Sequence, residues 1–407
     1  MKKIRLTYIF LIIFILAIFA GIGLYSYSSY SILNKISKQN GSIKQEDKNN
    51  SQPPTQELPK AESQKASTLP DYKVKGIYVT GWSAGNQAKI NHFINLLSRT
   101  ELNTLVIDVK DDLGRVSYKS DVPLAKESGA TKTAMIGDIK ALMKKLKSRN
   151  IHTIARIVVF KDPILAEKKP ELALLTASGT VWHDRNNTAW LDPFNEKSWS
   201  YSIDLAKEAV KNGFDEVQFD YVRFPADGKV KTLSYNKPGS KPNLVKPINA
   251  FLSKSKSELN QLGVPVSADI FGIVTTNIGD IEKIGQDLEP ISKTVDFISP
   301  MVYPSHYALG EYKIRKPDLE PYRVVYKSLY TANERLSKIK DTHAKIRPYL
   351  QDFSASWLGR GNFKKYTAED VKAQIKAVYD SGLEEWILWN AGNKYNESAF
   401  QNINQTQ

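Results

Sequence analysis

Residues 213–225, GFDEVQFDYVRFP, decide how this chain is read. A glycine opens the stretch after a helix-like pattern, β-prone residues fill it, and a proline closes it. Side chains alternate along a strand, so Gln218, Asp220 and Val222 are expected on one face and Val217, Phe219 and Tyr221 on the other. A carboxylate in so apolar a run is costly to bury unless it is paired or used. Asp220 is therefore either a structural partner of Arg223, three residues on, or a working carboxylate at the mouth of an α/β barrel.

Outward from this stretch, strand and helix patterns alternate. Strands are expected at 75–80 (KGIYVT), 104–110 (TLVIDVK) and 152–160 (HTIARIVVF) before it. After it they are expected at 264–271 (VPVSADIF), 296–303 (DFISPMVY), 345–353 (KIRPYLQDF) and 384–390 (EEWILWN). Helical patterns fall between them, at about 88–99, 134–150, 197–212, 243–262, 278–292, 319–338 and 368–381. Each crossover helix returns the chain to the same direction, so the strands form a parallel sheet. Eight such units over residues 73–400 predict an α/β fold, a (β/α)8 TIM barrel with enlarged loops. No Gly-x-Gly-x-x-Gly follows the first strand and no phosphate-binding loop occurs, which argues against nucleotide folds.

The N-terminal part reads differently. Lys2, Lys3 and Arg5 precede an uncharged run at 7–25 (TYIFLIIFILAIFAGIGLY), long enough to cross a bilayer as a helix. The cations hold the N-terminus in the cytoplasm and place the rest outside. No Ala-x-Ala site follows, so residues 1–27 are expected to be a cytoplasmic tip and uncleaved signal anchor rather than a cleaved signal peptide. Residues 28–72 are polar and low in complexity and read as a linker. The formal charge of +14 comes from dispersed lysines, which suits a surface near anionic membrane or wall polymer rather than a nucleic-acid partner. With no cysteine, disulfides, thiolate metal sites and a Cys nucleophile are excluded.

In a TIM barrel the working residues stand where strands end. Those ends supply Trp82, Asp108, Lys110, Arg156, Asp220, Arg223, Asp269, Tyr303, Asp352, Trp389 and Asn390. Acids that bond hydroxyls, and rings that stack on sugar faces, suit a polysaccharide or oligosaccharide cleft. Glycoside hydrolysis needs two carboxyl groups. Asp220 and Asp269 lie on neighbouring strands, about 4.8 Å apart, and are expected to be catalytic, as nucleophile or base and as general acid. The others are expected to bind substrate, with Asp352 as a spare acid. Trp386 and Trp389 fall on opposite faces of one strand, so one packs under a helix. Of the loop residues Trp182, Trp190 and Trp357, at least one is expected to face substrate, and His183 and His306 are further loop candidates. The histidines have no zinc-site spacing and no Gly-x-Ser-x-Gly elbow occurs, so neither metal nor cofactor is expected.

Six segments together resemble a bacterial family of glycosyl hydrolase domains: 74–82 (VKGIYVTGW), 104–111 (TLVIDVKD), 217–225 (VQFDYVRFP), 266–272 (VSADIFG), 297–306 (FISPMVYPSH) and 347–353 (RPYLQDF). They run in order through about residues 74–395. The resemblance implies a glycosidase-like (β/α)8 barrel and a carbohydrate substrate. It differs from chitinase-like barrels, whose Asp-x-x-Asp-x-Asp-x-Glu strand ends in an acid that 215–222 lacks. The expected protein is a membrane-tethered extracellular glycoside hydrolase acting on a cell-wall or surface polysaccharide. The alternative is a non-catalytic glycan-binding barrel at the cell surface, which keeps the aromatic rim but needs no paired acids. A metal-dependent deacetylase is disfavoured by the histidine pattern.

Overall fold

A computed structural model describes residues 73–235 and 241–400. The expected anchor at 1–27 and linker at 28–72 lie outside the described residues. Nine strand segments make one closed parallel barrel: β1 (Lys75–Val79), β2 (Thr104–Lys110), β3 (His152–Val158), β4 (Glu216–Asp220), β5 (Val266–Phe271), β6 (Phe297–Met301), β7 (Lys345–Ile346), β8 (Tyr349–Gln351) and β9 (Trp386–Trp389). Consecutive strands pair in parallel, β1 pairs with β9, and β7 and β8 both pair with β6, which completes the ring. β7 and β8 are two halves of the expected seventh strand. The break falls at Arg347-Pro348 because proline has no N–H to give a ladder. Eight strand positions result, the (β/α)8 architecture expected.

Outward-facing residues of the strands, among them Ile77, Ile107, Ile157, Val217 and Phe219, pack with the surrounding helices in one apolar cluster. The helix Gln87–Arg99 shows how: Ile90, Phe93, Ile94 and Leu97 recur on one face and are buried. Gly213, which opens the 213–225 stretch, adopts φ 109° and closes the helix Trp199–Asn212, its N–H capping the last turn. The expected helix at 278–292 is reduced to Leu288–Ser292. Gly279 and Gly285 take positive φ there, and Asp280 accepts from the N–H groups of Ile284 and Gly285, so the chain turns instead of winding.

Inside the barrel the rungs are polar. At the lower end Arg347 reaches Glu216 at 2.8 Å and Glu385 at 2.7 Å, all three buried. Above them Gln218 donates to Ser299 at 3.1 Å and accepts from Tyr349 at 2.6 Å. These buried side chains are thus linked to one another across the barrel, as burial favours, although Arg347 Nη2 has no hydrogen-bond partner among the described residues. Val106, Ile154 and Ile387 fill the remaining space with Tyr78, Tyr303 and Tyr349.

Candidate active site

The third rung lies at the C-terminal ends of the strands. Arg156 of β3 donates through Nε (3.0 Å) and Nη2 (2.5 Å) to Asp220 of β4, and through Nη1 (2.5 Å) to Asp108 of β2. Tyr78 of β1 donates to the other Asp108 oxygen at 2.5 Å. Its ring stacks on Trp389 of β9, centroids 3.9 Å apart, and the Arg156 guanidinium lies 5.0 Å from the Trp389 ring. Burial pushes the Asp108 carboxyl up to about 6, although Arg156 and Tyr78 pull the other way. Asp220 accordingly has its ion-pair partner on a neighbouring strand. Arg223, the partner in the structural reading of 213–225, forms no ion pair among the described residues.

Asp269 stands next in the ring. The β4–β5 register pairs Gln218 with Ser267 and Phe219 with Ala268, so Asp220 and Asp269 follow side by side on the same inner face. Asp269 is buried and its Oδ1 has no hydrogen-bond partner among the described residues. Burial, reinforced by the Asp220 charge, pushes this carboxyl well above the ordinary range and favours its protonated form. One carboxyl group held by a guanidinium and one buried carboxyl group with an unpartnered oxygen therefore occupy adjacent strand ends.

A cavity of about 320 Å³ opens over this rung. Arg156, Asp220, Arg223, Tyr303 and Trp389, all expected from the sequence, line it with Phe271, Met301, His306 and Tyr307. Asp220 is its lining carboxylate; Asp269 sits one step deeper. Tyr221 also lines the cavity, against the alternation that put it on the outer face. The strand ends at Asp220 and Tyr221 swings into the left-handed region at φ 49°, which is strained for a bulky residue. Its N–H then bonds Asp220 Oδ1 at 2.6 Å, so the strain fixes the carboxylate.

Four expected substrate residues lie elsewhere. Lys110 is fully buried against Asp162 at 2.6 Å and the Tyr201 ring. A bulge causes this: Asp108 pairs with Arg156 but Lys110 with Ile157, so Lys110 turns outward instead of sharing the Asp108 face. Asp352 accepts from the Asn396 side chain at 2.5 Å and its N–H at 2.9 Å, tying down the C-terminal loop. Asn390 donates to backbone oxygens of Asp352 and Lys394. Both alternate with inward neighbours, Gln351 and Trp389, and so point out of the barrel. Trp82 is exposed and faces Arg115 rather than the cavity.

Among the loop aromatics, Trp182 and Trp190 are buried, and Trp190 bonds Asp184 at 3.0 Å. Trp357 is exposed and stacks on Phe353 next to His306. Trp386 packs under the helix Ala368–Asp380 through a bond to Tyr379, as its parity requires. His183 pairs with Glu167 on the surface. Tyr78 and Phe271 are among the site residues the sequence reading missed, with Tyr221, Ile273 and Tyr307. Tyr78 and Phe271 share a strand face with residues placed inward, and strict alternation finds them; the other three lie beyond strand ends, where alternation gives no signal.

A family described as "Putative glycosyl hydrolase domain" matches residues 76–395. No curated protein matches the chain. Among solved structures, a hypothetical protein from Ruminiclostridium thermocellum ATCC 27405 is 44% identical, covering 47% of this chain and 96% of that one, with a TM-score of 0.43. The PgaB (BpsB) glycoside hydrolase domain from Bordetella bronchiseptica is 12% identical over 81% of this chain and 96% of its own, with a TM-score of 0.54. The C-terminal domain of a protein titled "putative chitinase" from Desulfitobacterium hafniense DCB-2 is 14% identical over 80% and 96%, with a TM-score of 0.50. At these identities the last two establish a shared fold.

Proposed function

Because the chain belongs to the family described as "Putative glycosyl hydrolase domain", we propose that it hydrolyses a glycosidic bond in a polysaccharide, using Asp220 and Asp269 as its carboxyl pair. The observation that carries this reading is the contrast between the two. Asp220 is paired with Arg156 at the cavity surface, and Asp269 beside it is buried with an unpartnered oxygen and a carboxyl pushed toward its protonated form. Glycosidases need carboxyl groups in opposite protonation states, one to give a proton to the leaving oxygen and one to act as nucleophile or base. Asp220 meets the sugar as nucleophile or base. Asp269 supplies the proton, and water is added across the broken bond. Arg156, Asp108 and Tyr78 position Asp220, and Trp389 and Tyr303 offer ring surfaces to the sugar.

The test is turnover of purified wall and surface glycans by the full-length protein and its Asp220→Asn and Asp269→Asn forms. Each variant is expected to fold normally and to lose about 100-fold or more in kcat/KM. If both hydrolyse a confirmed substrate at the parent rate, this assignment is wrong. The same reading places the barrel outside the cell, tethered by residues 7–25 or secreted after their cleavage. Protease access on intact cells, with the N-terminal mass of the membrane-bound form, separates these locations.

A further inference from the structure

The cavity holds a second guanidinium with a different environment. Arg156 spends three donors on two carboxylates, whereas the Arg223 guanidinium makes one hydrogen bond, from Nη1 to the Phe224 carbonyl at 2.8 Å. Aromatic rings surround it: Phe271 at 4.4 Å, and Tyr221 and Trp190 at 5.0 Å each. Asp220, Asp227 and Asp184 are near enough to be felt by its charge, yet none comes within ion-pair distance. Asp184 is occupied by the Asn186 and Thr188 N–H groups and by Trp190. Asp220 is committed to Arg156. Burial lowers the Arg223 pKa, the cost of keeping a cation in an apolar pocket without an adjacent anion.

A guanidinium has five N–H donors in a planar fork, and Arg223 spends one of them on protein. A neutral hydroxyl-bearing ring needs no such group, since hydroxyls are served by any polar side chain. A buried cation left with open donors beside a candidate catalytic carboxylate matches a carboxylate, which accepts two parallel N–H bonds from the fork.

We propose that the sugar bound in this cavity is acidic, and that Arg223 takes its carboxylate in a bidentate pair. This rests on the glycosidase reading for the identity of the ligand as a sugar. Two chemistries present such a group: a uronic acid, with the carboxylate on the ring carbon chain, and an amino sugar bearing a lactyl ether. Arg156 offsets part of the negative charge of Asp220 and Asp108, and Arg223 adds a second cation that favours approach of an anion. The Phe271, Tyr221 and Trp190 rings shield the pair from water and strengthen it.

The experiment is calorimetric binding to the full-length chain carrying Asp220→Asn, which prevents turnover. The probes are a uronate trisaccharide, a lactyl-ether amino-sugar oligosaccharide, and the carboxyl-reduced form of each. At least one acidic probe is expected to bind about tenfold to a hundredfold more tightly than its reduced form, the range of a charge-assisted pair. Adding Arg223→Met is expected to bring that ratio close to one, and Arg223→Lys to restore part of it, since lysine keeps the charge without the fork. Which probe shows the preference identifies the source of the carboxylate. Equal affinity for acidic and reduced forms in both pairs overturns the proposal without recourse to any Arg223 variant. So does a preference that survives Arg223→Met. The glycosidase reading fails separately, if the unsubstituted protein cleaves none of the glycans it binds.

Discussion

Asp220 and Asp269 are chemically identical side chains at matching positions on neighbouring strands, and their surroundings differ. Asp220 accepts two guanidinium N–H groups and the Tyr221 N–H. Asp269 has a buried oxygen without a donor, so adding a charge there costs desolvation and repulsion from Asp220. With Asp269 as proton donor, loss of its proton should be the event that shuts the reaction down as pH rises. The fall in rate with rising pH is expected to begin above the ordinary carboxylate range, and rates measured across pH 3–10 check it. A fall beginning in the ordinary carboxylate range, about pH 4, would remove Asp269 as the proton donor. Both aspartates were legible in the sequence because each stands in an apolar run near a strand end. The partner of Asp220 was not. Arg223 is three residues away in the chain, but pairing follows the sheet, and the sheet delivers Arg156.

At the scale of elements, β4 carries one polar residue for each level of the barrel: Glu216, Gln218 and Asp220. The lowest level ties distant strands together, since Arg347 precedes β8 and Glu385 precedes β9. Burial pushes the Glu216 carboxyl up, but Arg347 and His152 outweigh it and hold the group at about 2. A carboxyl depressed in the folded state stabilises the protein fully above its unfolded pKa, and that stability is lost as pH falls through the folded value. Acid lability is therefore expected to develop between about pH 4.5, the ordinary glutamate value, and about 2. Glu216→Gln should flatten this part of the curve and cost about 3 kcal/mol at pH 7, because it leaves Arg347 undercompensated. Urea denaturation at a series of pH values measures both effects. Alternation also explains which expectations at this scale failed. Asp352 and Asn390 were one residue out of phase with the inner face, and Lys110 was in phase until the bulge in β2 reversed it.

For the folded domain as a whole, aromatic rings extend from the cavity toward solvent. Tyr303 meets His306 and Phe353 edge-on, and Phe353 stacks on Trp357, which is 65% exposed. An exposed tryptophan beyond the reacting position is suited to a sugar unit farther along a chain. Trp357→Ala is expected to weaken binding of a long glycan by about fivefold, an aromatic contact's worth of energy, and to leave a disaccharide unaffected. Thermal stability should stay within about 0.5 kcal/mol of the parent, since an exposed ring contributes little to the core. Titrating both lengths of glycan against the variant checks the claim, and equal losses for the two would contradict it.

The sequence by itself determined the barrel. Strand and helix periodicities are local, and eight units of parallel topology leave few ways to close a sheet. It also determined which strand ends carry acids, because a charge in a β-prone apolar run is conspicuous. What only the tertiary structure decided is who meets whom around the ring. Arg156 binds both Asp108 and Asp220, Tyr221 turns into the cavity through a left-handed backbone, and Arg223 is left among rings with most of its donors unspent. These depend on closure of the barrel and on a single strained φ. Such long-range or single-residue events leave no periodic trace in the chain, and in 213–225 they turn an awkward carboxylate into one positioned at a cavity.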